Sequence, residues 1–159
     1  YINGFVAGVT ATEPDTAVNV VYTGNFGDTA LAAEAANTQI KAGADVLTGS
    51  AQQVVGAIQV AKDNNVYWFG SQSNQSPLAP EIVVMNQVYD WTKVIKEMID
   101  SHNSGTMGGK VFTMTLNDGG QTTVYNPDTT VPAEKMDEIK AAVDAAAKGI
   151  MDGSIVPPK

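Results

Sequence analysis

Val66-Tyr67-Trp68-Phe69-Gly70-Ser71-Gln72-Ser73-Asn74-Gln75-Ser76-Pro77-Leu78-Ala79-Pro80 is the stretch on which the fold turns. The apolar run Val66 to Phe69 stops at Gly70, five polar residues follow from Ser71 to Gln75, and Pro77 and Pro80 then forbid regular structure. A buried parallel strand that delivers hydrogen-bonding side chains to its carboxyl edge has this pattern, and open α/β sheets place their ligands at that edge.

Upstream, the chain alternates between helical and strand-like patterns. Ile2, Phe5, Val6 and Val9 recur at the spacing of one helical face, and Pro14 and Asp15 end that helix. The run 17–23 is rich in β-branched residues and predicts a strand. Gly24 to Gly27 read as a loop, and Asp28 is placed to cap a helix over 29–42 that Gly43 stops. A short buried strand over 45–48 ends at Gly49-Ser50, and a helix over 52–64 follows, with Val54, Val55, Ile58 and Ala61 expected to face inward. This succession implies a parallel sheet joined by crossover helices. Downstream, 81–88 reads as a strand and Asp90 or Thr92 opens a helix to about Ser101, followed by the glycine-rich joint 104–109. The runs 110–116 and 121–125 alternate around Asn117-Asp118-Gly119-Gly120 and predict a β-hairpin. Pro132 then starts a last helix with Met136, Ile139, Val143, Ala146 and Ile150 along one stripe, ended by Gly153. The expected fold is a three-layer α/β domain: a flavodoxin-like, doubly wound, mainly parallel sheet with a carboxyl-terminal β-hairpin and helix, all within one lobe over 1–159.

Composition narrows the function. With 159 residues, 43% of them hydrophobic and 16% charged, the chain has the make-up of one folded domain. A net charge of −8 argues against a nucleic-acid surface, which needs a basic stripe. All 9 basic residues are lysine, so no guanidinium is available to clamp a phosphate or a dicarboxylate. There is no cysteine, which removes disulfides and thiolate metal sites and suits an exported protein. His102 is the single histidine, expected as an exposed cap at a helix end, so no transition-metal site is expected. No serine sits in a nucleophile elbow, and no catalytic residue or cofactor is assigned. The Asn74-Gln75-Ser76 triplet matches a glycosylation acceptor, a pattern common by chance. No apolar run is long enough to span a bilayer. The chain opens on Tyr1 inside a helical pattern, which is read as a processed or truncated piece of something longer.

The ordered series of these motifs resembles the basic membrane protein (BMP) family of ABC-transporter substrate-binding proteins, periplasmic binding proteins of type I. The family pattern at the hinge-proximal strand runs Gly-x-Asp-x-Asp-Gln-Ser, then a short loop to Ala-Pro. Here it stands as Gly70-Ser71-Gln72-Ser73-Asn74-Gln75-Ser76, with Ala79-Pro80 following, and both acids have become amides. The likeness also runs through Ile2 to Val9, Gly24-Asn25-Phe26-Gly27-Asp28, Gly43-Ala44-Asp45-Val46 and Asp152 to Pro157, and so covers essentially the whole chain. It implies the carboxyl-terminal lobe of a two-lobed protein that is not an enzyme, closing on a small solute, usually a purine nucleoside, and delivering it to an ABC permease of the inner membrane. It further implies a missing amino-terminal lobe and a periplasmic or lipoprotein-anchored, extracytoplasmic location.

By that resemblance the ligand-binding candidates are Asn25, Phe26, Gly49, Ser50, Gln72, Asn74, Trp91 and Asn117. Gln72 and Asn74 either touch ligand or hydrogen-bond the local backbone, as loop amides readily do. An aspartate at 72 would accept protons from two ribose hydroxyls, whereas glutamine brings one acceptor and one donor group, which suits an uncharged polar ligand. Phe26 either stacks a base or plugs the loop beneath it. Trp68 is expected in the core and Trp91 at the cleft or the interface between lobes. Asn117 stands where the family often has lysine before a glycine pair, but a hairpin residue beside Asp118-Gly119 is its plainer role. A free-standing flavodoxin-like domain binding a flavin or another small molecule is the alternative function, weakened because Asp28 would repel phosphate at the helix start. The stretch 77–103 is expected to cross the hinge. Its apolar residues Ile82, Val84, Val88, Val94, Ile95 and Ile99 need cover worth roughly 25 cal/mol per Å². Without the other lobe they either fold back on the fragment's own sheet or exchange with a second copy as a domain-swapped homodimer, and fold-back is favoured because it needs no second molecule.

Overall fold

The computed structural model describes residues 1–158. In chain order it contains α1 (Ile2–Thr12), α2 (Thr29–Lys41), β1 (Val46–Thr48), α3 (Val54–Asp63), β2 (Tyr67–Gln72), β3 (Val83–Tyr89), α4 (Thr92–Asn103), β4 (Gln121–Tyr125) and α5 (Ala133–Asp152). A single 3₁₀ turn, Ser76–Leu78, lies between β2 and β3. The strands form one sheet in the order β1-β2-β3-β4. The pairs β1-β2 and β2-β3 are parallel, while β4 runs antiparallel to β3 with Tyr89 opposite Gln121. This is the α/β, mainly parallel architecture expected from the alternation of elements.

The core fills the space between the sheet and the α2–α3 pair. Ala32 and Ala36 of α2 meet Val54, Ala57, Ile58 and Ala61 of α3, and Trp68, Ile82 and Val83 close the cluster from the sheet. Small residues on both helices let the two backbones approach closely. Val55, expected inward, is exposed, because the turn of α3 that faces the sheet carries Val54 and Ile58 instead. On α5 the stripe is only partly covered: Met136 is buried, while Ala146 and Ile150 lie on the surface.

Local chemistry sets the ends of the elements. The Asp28 carboxylate accepts from the N–H groups of Ala30 and Leu31 at 3.0 and 3.1 Å and caps α2. Gly43 follows α2 with φ +98°, the left-handed conformation that ends helices and that glycine enters without penalty. Asp28→Ala is expected to cost about 1 kcal/mol in urea unfolding, and Asp28→Asn to recover most of it; an unchanged midpoint in the alanine variant would refute the cap.

Two expected strands are absent. The run 17–23 carries strand-forming residues but makes no ladder hydrogen bonds, and Val20, Val21 and Tyr22 are exposed. Propensity alone does not make a strand; the run must also dock on a partner edge, and this one leaves the outer edge of β1 unpaired. The first arm of the expected hairpin, 110–116, is likewise irregular. Its turn does form over 116–119, with Gly119 at φ +74°, but the second arm, β4, finds its partner in β3. The stretch 77–103 divides in two. Its first half enters the middle of the sheet as β3, with Ile82, Val83 and Val84 buried; its second half, α4, leaves Ile95 and Ile99 on the surface.

Candidate functional site

β1, β2 and β3 all point their carboxyl ends to one edge of the sheet, at Thr48, Gln72 and Tyr89. Side chains tie these ends together. Thr48 Oγ1 donates to the Phe69 carbonyl at 2.7 Å, and Ser71 Oγ donates to the Gly49 carbonyl at 2.6 Å. Ala51 N–H donates to Gln72 Oε1 at 3.1 Å. The Tyr1 hydroxyl hydrogen-bonds Thr48 Oγ1 beside Ser71 and Tyr89, and withdrawal from water, the largest influence, raises its pKa above the usual phenol value. An open groove of about 370 Å³ lies next to this edge, lined by Tyr1, Ile2, Asn3, Tyr22 and Ser50.

The row Ser71 to Gln75 splits by role. Ser71 and Gln75 are buried, while Gln72, Ser73 and Asn74 face solvent. Trp68 Nε1–H donates to Gln75 Oε1 at 2.7 Å, and Gln75 Nε2 donates to the Ser71 carbonyl at 3.0 Å. Asn86, on β3, completes this network: its Oδ1 accepts from Gln75 N–H at 3.0 Å, and its Nδ2 donates to Asn74 Oδ1 at 3.1 Å and Ser76 Oγ at 2.9 Å. Every polar end in this cluster is matched, as burial demands. Trp68, 1% exposed, is a core residue as expected.

The candidate residues fall into three groups. Gly49, Ser50 and Gln72 meet at the carboxyl edge through the Ser71 and Ala51 contacts. Asn25 and Phe26 sit in the loop above it. That loop is held by Asn25 Oδ1, which accepts from the N–H groups of Gly27 and Asp28 at 2.8 and 3.0 Å, and by the Phe26 carbonyl, which accepts from Gln53 N–H at 3.0 Å. The Phe26 ring is 80% exposed and plugs nothing. Asn74 lies close by, its oxygen shared between Ser76 N–H and Asn86. Trp91 stands just past β3, 53% exposed, edge-on to Tyr89 at 6.3 Å. Asn117 lies in the turn before β4, whose start pairs with Tyr89, and its Nδ2 reaches the Met151 carbonyl at 3.4 Å.

Beside Asn117 runs a second groove of about 400 Å³ between α4 and the 118–120 turn. Here Asp118 accepts from Thr115 and Gly120 N–H and from Lys93, and these bonds hold its carboxyl well below the usual carboxylate range. The arrangement is structural: it closes the turn and pins it to α4. Among the described residues no group of three or more metal-ligating side chains comes together, and no helix is long and apolar enough to cross a membrane. His102 is exposed in the last turn of α4.

Sequence reasoning missed Tyr1, Tyr89 and Asn86. Asn86 carries a signal, since the amide pair Asn86-Gln87 breaks the apolar run Ile82 to Met85 before Val88. Comparison with known proteins decides the family. A family model described as ABC transporter substrate-binding protein PnrA-like (Bmp) matches residues 1–157. The chain belongs to the Bmp family. The proteins that this family model describes are ABC transporter substrate-binding proteins, which are not enzymes. Curated relatives include a purine-binding protein of Brucella abortus, 26% identical over 98% of this chain and 43% of the relative. Another is the ABC transporter nucleoside-binding protein BmpA of Lactococcus lactis, 26% identical over 98% of this chain and 48% of that protein. Among solved structures, an ABC transporter solute-binding protein from Conexibacter woesei superposes with a TM-score of 0.72 at 24% identity, over 98% of this chain and 51% of that one. A transcriptional activator of the comK gene from Bacillus halodurans shares the fold at a TM-score of 0.77 and 19% identity, over 99% and 54%. The chain thus spans about half the length of the Bmp relatives it matches.

Proposed function

We propose that this chain is the carboxyl-terminal lobe of the solute-binding component of an ABC importer, and that it closes with a second lobe on a small, neutral, polar ligand such as a purine nucleoside. The observation that carries this reading is the carboxyl edge between β1 and β2, where Gly49 to Ala51 and Ser71 to Gln75 converge without one charged side chain. A charged ligand there would lose its hydration with no opposite charge to replace it, whereas amides and hydroxyls match uncharged polar groups. The names of the Brucella and Lactococcus relatives favour purines and nucleosides. Phe26, Tyr22 and Trp91 are exposed aromatic faces near the edge, suited to stacking a heterocycle once a second lobe excludes water. The α4 face bearing Trp91, Ile95, Met98 and Ile99 is apolar and uncovered, which suits packing against that other lobe and supports reading 77–103 as the hinge-crossing stretch. The permease partner and the extracytoplasmic setting follow from the same reading.

Asp28 speaks against a flavin mononucleotide site, because its carboxylate already occupies the α2 amino terminus where a phosphate would bind. The test is a thermal-shift screen of nucleosides, purine bases, vitamins and sugars on the protein carrying both lobes, since half a cleft offers too few contacts. Nucleosides are expected to raise the melting temperature by several degrees, following the logarithm of concentration over Kd. Stabilisation by a sugar or vitamin and by no nucleoside would sink the nucleoside assignment.

A further inference from the structure

Among the described residues, three other than glycine hold a left-handed backbone: Ala51 at φ +75°, Asn65 at +54° and Gln72 at +71°. Asn65 sits in the turn between α3 and β2 and is of a type that tolerates this region. Alanine and glutamine are not, and such strain persists only where the surroundings fix it, commonly at binding sites. Ala51 and Gln72 lie just past or at the ends of neighbouring strands, and they are bonded to each other: Ala51 N–H donates to Gln72 Oε1 at 3.1 Å.

That bond fixes which way the amide points. A backbone N–H can only donate, so the atom facing it is the oxygen and not the nitrogen. Gln72 Oε1 is therefore turned back to the protein. Nε2, on the other side of the amide carbon, has no hydrogen-bond partner among the described residues, and the side chain is exposed. The backbone beneath is held as well, since the Ser71 carbonyl accepts from Ser73 N–H at 2.9 Å and from Gln75 Nε2 at 3.0 Å.

We infer that Gln72 is a specificity-determining residue that presents N–H donors to the cleft, so that the ligand places an acceptor there: a carbonyl oxygen or an unprotonated ring nitrogen of an uncharged heterocycle. This deepens the solute-binding reading and rests on it. A carboxylate at this position would present the opposite polarity and favour a ligand's hydroxyl or N–H donors.

The test uses Gln72→Glu and Gln72→Ala in the protein carrying both lobes, with inosine, a neutral heterocycle bearing carbonyl and ring-nitrogen acceptors, as the probe. Glutamate keeps an oxygen for Ala51 N–H and replaces the outward donor with an acceptor. By calorimetric titration, inosine affinity is expected to fall roughly tenfold or more in Gln72→Glu. Unchanged or tighter binding of inosine by Gln72→Glu would overturn the assignment. Hydrogen exchange of the ligand-free proteins supplies a second readout: Ala51 N–H should be protected in the wild type and in Gln72→Glu, and exchange at least tenfold faster in Gln72→Ala. Equal exchange in wild type and Gln72→Ala would overturn the amide orientation, and the inference with it, whatever binds. Protection of Ala51 without any inosine binding would support the orientation while counting against the nucleoside reading, so the two failures are distinct.

Discussion

Gly56→Ala is expected to destabilise the protein by about 3 kcal/mol or more, although alanine is the better helix former by about 1 kcal/mol. Gly56 lies in the first turn of α3, where that helix crosses the start of α2. A Cβ built there would stand 2.0 Å from the Thr29 carbonyl oxygen and 2.9 Å from its carbon. Both are backbone atoms, and no rotamer change relieves the clash. Neither helix is free to yield. Asp28 pins the start of α2, and the Phe26–Gln53 backbone bond pins the start of α3. Making room means separating the helices, which opens the packing of Ala32 and Ala36 against Ala57, Ile58 and Ala61. Gly8, in the middle of α1, is the control, because a Cβ there meets nothing within 4 Å. Gly8→Ala should be neutral or stabilise by up to about 1 kcal/mol. Urea unfolding followed by circular dichroism separates the two substitutions by sign, and stabilisation by both would remove the close helix crossing from the account.

Gly56 also marks where sequence reading stopped. A glycine inside a helical pattern registers as a small propensity loss, and only the second helix's backbone turns it into a requirement. The elements carried by local signals were legible: the Asp28 cap, the Gly43 stop, the apolar run into β2 and the 3.6-residue stripe of α3 are visible without knowing the neighbours. Elements that exist only through a partner were not. The run 17–23 has the composition of a strand but does not dock on the outer edge of β1, which stays unpaired, and β4 reads as the second arm of a hairpin with 110–116 because the chain reversal at Gly119 is visible in the sequence while β3 as the competing partner is not. The candidate site divided along the same line. Gly49, Ser50 and Gln72 come together because strand ends in a parallel sheet must share an edge. Asn117 is placed by analogy of pattern, and its amide turns to the Met151 carbonyl. Within the polar row, nothing in the order Ser-Gln-Ser-Asn-Gln tells which amides turn inward, since that choice belongs to Trp68 and Asn86.

Asn86→Ala is the second large effect, expected at about 3 kcal/mol or more, because it removes the group on which the 73–76 loop is folded. Asn86 is fully buried and uses both ends of its amide. Its loss leaves Gln75 N–H buried without an acceptor, a penalty of about 1–3 kcal/mol, and adds the cavity of the missing side chain. The loss extends beyond stability. Asn74 and Ser76 lose their shared donor, and the loop that follows Gln72 is left with the Gln75 bonds to Trp68 and Ser71 and the bond from Ser73 N–H to the Ser71 carbonyl. Asn86→Asp separates the donor from the acceptor. It keeps an oxygen for Gln75 N–H but sets a carboxylate against Asn74 Oδ1 in a buried place, which raises that carboxyl's folded pKa above its unfolded value of about 3.9. A raised folded pKa gives a contribution that is present below the unfolded value and is lost as pH climbs through the folded one. The aspartate variant should therefore be least stable relative to wild type at neutral pH and gain on it as the pH is lowered towards 4. Equal urea midpoints for wild type and Asn86→Asp at pH 7 would show that the donor end of the Asn86 amide contributes nothing to the folded protein, and that the polar row is ordered by the Asn86 oxygen and the Gln75 bonds alone.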